Sequence, residues 1–141
     1  MEETIKPDVL VDFLFEKGLL FILVKNHSDA AAMGVKINFD KAFNGVGGRV
    51  QVSALNIFQH LQYLAPRKEI KIFLDVASAY FARLNPAKVI AGKNIPERLE
   101  PTELNVHISW FDEARVAHEK KIHHNLIIYK DLGYIPQIEQ L

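Results

Sequence analysis

Apolar and polar residues alternate along much of this chain, and glycine, proline and asparagine break the alternation. Asp8 to Phe15 places Val9, Val11, Phe13 and Phe15 on one face and Leu10, Asp12 and Leu14 on the other, which predicts a strand. Glu16-Lys17-Gly18 reads as a tight turn, and Leu19–Asn26 returns as a second strand. Asn26 to Asp29 is rich in turn formers whose side chains bond their own backbone. Val35, Ile37 and Phe39 then alternate with Lys36, Asn38 and Asp40, a half-buried strand with one wet face.

Lys41 to Arg49 is a glycine-rich loop, and Val50 to Ser53 reads as a short strand. Leu55, Phe58, Leu61 and Leu64 recur at about threefold spacing, which suits a short helix or turn, stopped by Ala65-Pro66-Arg67. Ile70, Ile72 and Leu74 alternate with Lys71, Phe73 and Asp75 as another strand. The stretch from Val76 to Pro101 is punctuated by prolines and reads as one short strand around Ala79–Leu84 plus a long surface loop. Leu104 to Trp110 alternates again, Asp112 to Arg115 turns the chain, and a polar strand runs from about Val116 to Leu126. The tail, 131–141, carries Ile135, Ile138 and Leu141. Many short strands with little helix predict one all-β, immunoglobulin-like antiparallel sandwich of seven to nine strands, with one short helix or helical turn, over 1–141 and a core at about 7–130.

Composition narrows the class. The 141 residues suit one domain, and 49% hydrophobic with 24% charged residues is the balance of an ordinary folded globule. Net charge is +0, so no global field concentrates nucleic acid, and a nucleic-acid partner is not expected. With 0 cysteines, disulfides and thiolate metal sites are out. The N-terminus is acidic and polar, unlike a signal peptide, and the longest apolar run, Leu19–Val24, is far shorter than the ~20 residues that span a bilayer. The expected location is cytoplasmic, with the extracytoplasmic face of a membrane-anchored parent as the alternative.

The runs PDVLVDFLFEKGLLFILVKNHSDAAAMGVKINF, LAPRKEIKIFLD and LNVHISWFDEARVAHEKKI resemble the immunoglobulin-like domains of uncharacterised bacterial proteins, akin to CARDB-type domains. Those read apolar strand, Asn-x-Gly-x-x-Ala, then an alternating strand. Asn26 and Ala30–Ala31 fit, while Ser28 stands where glycine is usual. Arg67 replaces the glycine of a Leu-x-Pro-Gly strand entry. The likeness spans roughly 7–130 and implies a non-catalytic binding or spacer module.

Candidate chemistry is sparse. His107 lies on one strand of the last hairpin and His123 on the other, so a two- or three-ligand metal site is geometrically possible, but the spacing matches no compact ligand motif. Gly45–Arg49 lacks the Lys-Ser/Thr and following helix of a phosphate loop. No serine sits in a nucleophile elbow, and no buried carboxylate pair is evident. No catalytic residue, metal or cofactor is therefore assigned, and the chain is not read as an enzyme.

The apolar excess is more informative. If Leu20, Ile22 and Val24 fill the core, Leu19, Phe21 and Leu23 face outward, and Leu10, Leu14 and Phe73 add to the same problem. Burying one Leu or Phe is worth ~1.5–3 kcal/mol, so an uncovered set drives association. The cover is expected from the tail, from the 76–101 segment, or from a protein partner. The preferred expectation is an interaction or scaffold domain that self-associates or docks to a protein through these residues. The alternative is a small-ligand or carbohydrate-binding module using Tyr80 and Trp110.

Overall fold

A computed structural model describes residues 5–81, 89–90, 93–94, 100–130 and 132, with backbone alone for 89–90 and 93–94. Among them are the strands β1 (Val9–Glu16), β2 (Leu19–Asn26), β3 (Ala32–Phe39), β4 (Leu61–Leu64), β5 (Glu69–Val76), β6 (Val89–Ile90), β7 (Lys93–Asn94), β8 (Glu103–Phe111) and β9 (Ala117–Asn125). Two four-residue helices, α1 (Ile57–His60) and α2 (Ala77–Tyr80), join 3-10 turns at Val52–Ala54 and Leu126–Tyr129.

The strands form an all-β sandwich of two antiparallel sheets. One has the order β1-β2-β5, the other β4-β3-β8-β9, and β6 and β7 pair as a separate hairpin. The β1–β2 hairpin turns on Lys17 and Gly18, both at positive φ, the geometry whose twist matches the flanking strands. The core sits where period-two patterning aims it. Val9, Val11, Phe13, Leu20, Ile22 and Val24 face Ala32, Val35, Ile37, Leu104, Val106, Ile108 and Trp110 from the opposite sheet, all buried. Phe39 closes one end through edge contacts with Phe43 and Phe58, at centroid distances of 4.9 and 5.0 Å.

Four local readings change. Val50–Ser53 is no strand: Val50 makes one bridge to Gly45, and Val52 begins a 3-10 turn. The threefold spacing of Leu55 to Leu64 covers two elements, since α1 ends at His60 and Leu61 to Leu64 pair with β3. Around Ala79 the backbone is helical: α2 buries Ala77 and Tyr80, and 82–84 lie outside the described residues. Asp75, expected on a wet face, is 2% exposed. The pairing register with β2 shifts between Leu20 and Phe21, so β5 carries one extra residue there and Asp75 turns inward.

The edge of β1 is closed in an uncommon way. Asp8 O accepts from His27 N–H of the turn after β2, so by alternation the carbonyls of Pro7, Val9, Val11 and Phe13 point away from β2. Three of these are taken by side chains. Trp110 Nε1 donates to Pro7 O at 3.2 Å, His124 Nε2 to Val11 O at 2.9 Å, and Tyr129 Oη to Phe13 O at 2.9 Å. Lys120 adds an ion pair to Asp8. An edge strand with its acceptors occupied is a poor template for further pairing.

Candidate interaction surface

The register of the three-stranded sheet decides what its outer face carries. Leu14 pairs with Phe21, and Phe21 with Phe73, so the three form one row across the sheet. The neighbouring rows are Asp12–Leu23–Lys71 and Leu10–Lys25–Glu69 on one side, and Glu16–Leu19–Val76 on the other. All six residues expected at an interface therefore lie together: Leu10, Leu14, Leu19, Phe21 and Leu23 are half-buried, and Phe73 is 39% exposed. Val76, exposed beside Leu19, extends the strip and was not expected, because the register shift that aims it outward leaves no mark in an alternating pattern.

Of the two lysines on this face, Lys71 contacts the apolar centre. Lys71 Nζ sits 4.3 Å from the centroid of the Phe21 ring and 2.7 Å from Glu16 Oε2. The Lys71 ammonium holds the Glu16 carboxyl below its usual value, through the hydrogen bond first and its charge second. The Phe21 and Phe73 rings meet edge to face at 5.9 Å. The strip is thus apolar at its centre, with Asp12, Glu16, Lys25, Glu69 and Lys71 interspersed. The tail residues Ile135, Ile138 and Leu141, one of the expected covers, lie outside the described residues, as does most of the 76–101 segment beyond Phe81.

The other candidates fall elsewhere. Tyr80 and Trp110 are both buried, so the ligand-binding alternative loses its exposed rings; the Tyr80 hydroxyl donates to Pro101 O at 2.7 Å. His107 and His123 share the outer face of the four-stranded sheet. His107 stands opposite Lys121 and bonds diagonally to Glu119 at 2.9 Å, while His123 Nδ1 lies 2.8 Å from Asn105 Oδ1. His124 points to the inner face, against the Phe13 ring. Among the described residues no three of His, Asp and Glu converge as a metal site. A shallow depression of about 440 Å3 is lined by Asn38, Asp40, Asn105, His107, Lys121 and His123, among others. Three of its side chains engage one another: both Asp40 oxygens accept from Asn105, His123 bonds Asn105 Oδ1, and the backbone bond from Asn105 lowers the Asp40 carboxyl.

Two buried acids escaped the sequence reading. Asp75 Oδ1 accepts from Gly47 N–H at 3.1 Å, and Glu100 Oε1 from Asn44 N–H at 2.8 Å. Both pin the glycine-rich loop. That loop is a tight hairpin in which Gly45 and Val50 exchange backbone bonds, while Gly48 and Arg49 N–H turn back onto Gly45 and Val46. Its amides are spent within the loop, on Leu74 O and on the two acids, and do not converge on a phosphate.

Two packed antiparallel sheets, one with an apolar strip on its outer face, define a small all-β sandwich domain. Residues 1–130 match the family described as Domain of unknown function (DUF8453), and the chain belongs to that family. No curated protein and no solved structure matches it. Among the described residues no helix is long and apolar enough to cross a membrane.

Proposed function

We propose that this domain is a non-catalytic interaction module that associates with a second copy of itself through the outer face of the β1-β2-β5 sheet. One observation carries the reading: strand register gathers Leu10, Leu14, Leu19, Phe21, Leu23 and Phe73 on that face. A contiguous apolar strip on a small domain marks an association surface. Its charges are of both signs, with Glu69 beside Lys25 and Glu16 beside Lys71, a pattern suited to meeting its own copy rather than a strongly charged partner. The likeness to CARDB-type domains supports the same reading by analogy.

Sedimentation equilibrium of the wild type and of Phe21→Asp tests it. Both should melt cooperatively, and the variant should show a smaller assembly than the wild type. Leu14→Asp repeats the test on another strand should Phe21→Asp fold poorly. A wild type that stays monomeric at every concentration, or folded variants of unchanged mass, overturns the proposal.

A further inference from the structure

The two borders of the three-stranded sheet are not alike. The β1 border is capped by Trp110, His124 and Tyr129. Among the described residues the β5 border is open from Glu69 to Phe73. Asn26 N–H donates to Lys68 O, so by alternation Ile70 and Ile72 direct their backbone groups toward β2, and Glu69, Lys71 and Phe73 direct theirs outward. Among the described residues no hydrogen bond reaches those outward N–H and C=O groups. The contact nearest along this border is Val46 N–H on Leu74 O, at 2.9 Å, just past the end of the open stretch. Glu69, Lys71 and Phe73 are also exposed.

We propose that β5 is a pairing edge for a second copy of this chain, joined antiparallel about a two-fold axis at Ile70. The inference rests on the reading that the domain self-associates, and it adds a contact distinct from the apolar face. The side chains choose the register. Centred on Ile70, Glu69 of each copy stands opposite Lys71 of the other, and the two complementary pairs are made by outward-facing residues whose backbone groups are those left open. Centred on Lys71, two lysines would stand directly opposite, which is destabilising. Centred on Ile72, Glu69 would face the strand end at Asp75, and Leu74 O is already held by Val46. Pairing at Ile70 is isologous, so each copy offers the same patch. It joins two three-stranded sheets into one of six strands, with an apolar strip on each half.

Charge exchange tests it on the full chain in the Phe21→Asp background, which removes the apolar face and leaves the edge. Phe21→Asp alone should sediment as a dimer. Adding Glu69→Lys, or adding Lys71→Glu, should yield monomers, because each places like charges opposite one another twice. Mixing those two monomeric proteins should restore a dimer, since lysines of one then face glutamates of the other, and the variant carrying both exchanges should dimerise alone. Circular dichroism melts establish that each variant is folded. Dimers that survive either single exchange, or a mixture that stays monomeric, overturn the edge. If Phe21→Asp is itself a folded monomer while the wild type associates, the edge falls and the apolar-face reading stands. If Phe21→Asp leaves the wild-type mass unchanged and Glu69→Lys alone abolishes it, the edge stands and the face reading falls. A monomeric wild type overturns both.

Discussion

The Asn26 side-chain amide donates to the Leu64 backbone carbonyl at 3.2 Å, tying the end of β2 in one sheet to the end of β4 in the other. The same Nδ2 donates to Ala30 O at 2.7 Å and lies 3.2 Å from Ala65 O, while its Oδ1 accepts from the Ser28 hydroxyl. Asn26 is fully buried, so these bonds do not compete with water. Asn26→Ala should cost about 1–3 kcal/mol in urea denaturation, the penalty for buried acceptors left without a donor. Asn26→Asp should cost more at neutral pH, because a carboxylate would face carbonyl oxygens. That variant should regain stability as pH falls and the carboxyl protonates. Equal stability of wild type and Asn26→Ala removes this residue as a tie between sheets.

Gly45 has no room for a side chain. A Cβ there would lie 2.0 Å from Leu74 O and 3.0 Å from Leu74 C, both backbone atoms of β5. The strand cannot yield without breaking its pairing with β2. Gly45→Ala should therefore lose about 2–3 kcal/mol or more, at the upper end for overpacking. Gly47→Ala is a gentler comparison in space, since the nearest atom to its Cβ is the Arg49 Nε at 4.0 Å, although its φ of +68° still disfavours a side chain. A Gly45→Ala melting temperature at or above that of Gly47→Ala contradicts the close approach.

Acid should unfold the protein through identifiable carboxylates. Asp112 is held below its ordinary value of 3.8, first by the hydrogen bond from His118 and then by Val116 N–H. The Arg67 hydrogen bond lowers Asp29, and the His107 bond lowers Glu119. A carboxylate whose folded pKa is depressed contributes stability that is present above the unfolded pKa and lost as pH falls through the folded one. The window thus opens below about 4 for the aspartates and slightly higher for Glu16 and Glu119. Urea titrations across this range should show stability declining, and Asp112→Asn should flatten part of the decline. An unchanged slope in that variant assigns the loss elsewhere.

Closure of the β1 border is testable at Tyr129 and His124. Burial, with a smaller contribution from the Asp12 charge, raises the Tyr129 hydroxyl above 10.0. Its neutral form is the one the fold favours, so this contribution is present below the unfolded pKa and lost as pH rises beyond it. Spectrophotometric titration of the folded protein should show a late-ionising component that is missing from Tyr129→Phe. Combining Tyr129→Phe with His124→Ala uncovers the Val11 and Phe13 carbonyls, and light scattering should then report larger, irregular assemblies. No change in scattering argues that the capping side chains do not protect this border.

Strands with one clean apolar face were readable from the chain. Val9 to Phe13, Val35 to Phe39 and Leu104 to Trp110 follow their period-two pattern, and their apolar faces meet in the core. The apolar positions on the second face of β2 were equally visible, because a strand that buries Leu20, Ile22 and Val24 leaves Leu19, Phe21 and Leu23 on its other face. What escaped depends on contacts remote in sequence. Asp75 is turned inward by one extra residue against β2, and the helical turn Ala77 to Tyr80 carries Tyr80 to a bond with Pro101 O, twenty-one positions away. Trp110 and Tyr80 are attractive as binding rings by type alone; their burial is decided by partners remote in sequence, such as Pro7 for Trp110 and Pro101 for Tyr80. Arg67 keeps the positive φ, 61°, that a glycine would adopt without strain, and its bond to Asp29 helps hold that turn.

The capped carbonyls of Pro7, Val11 and Phe13 bear on how far any β-type assembly of this sheet can go. With three of the four outward carbonyls of the β1 flank taken, the three-stranded sheet offers neighbours, among the described residues, one seam with its acceptors free. A self-complementary join consumes that seam on both members at once, so the union is finite and does not grow into a fibre.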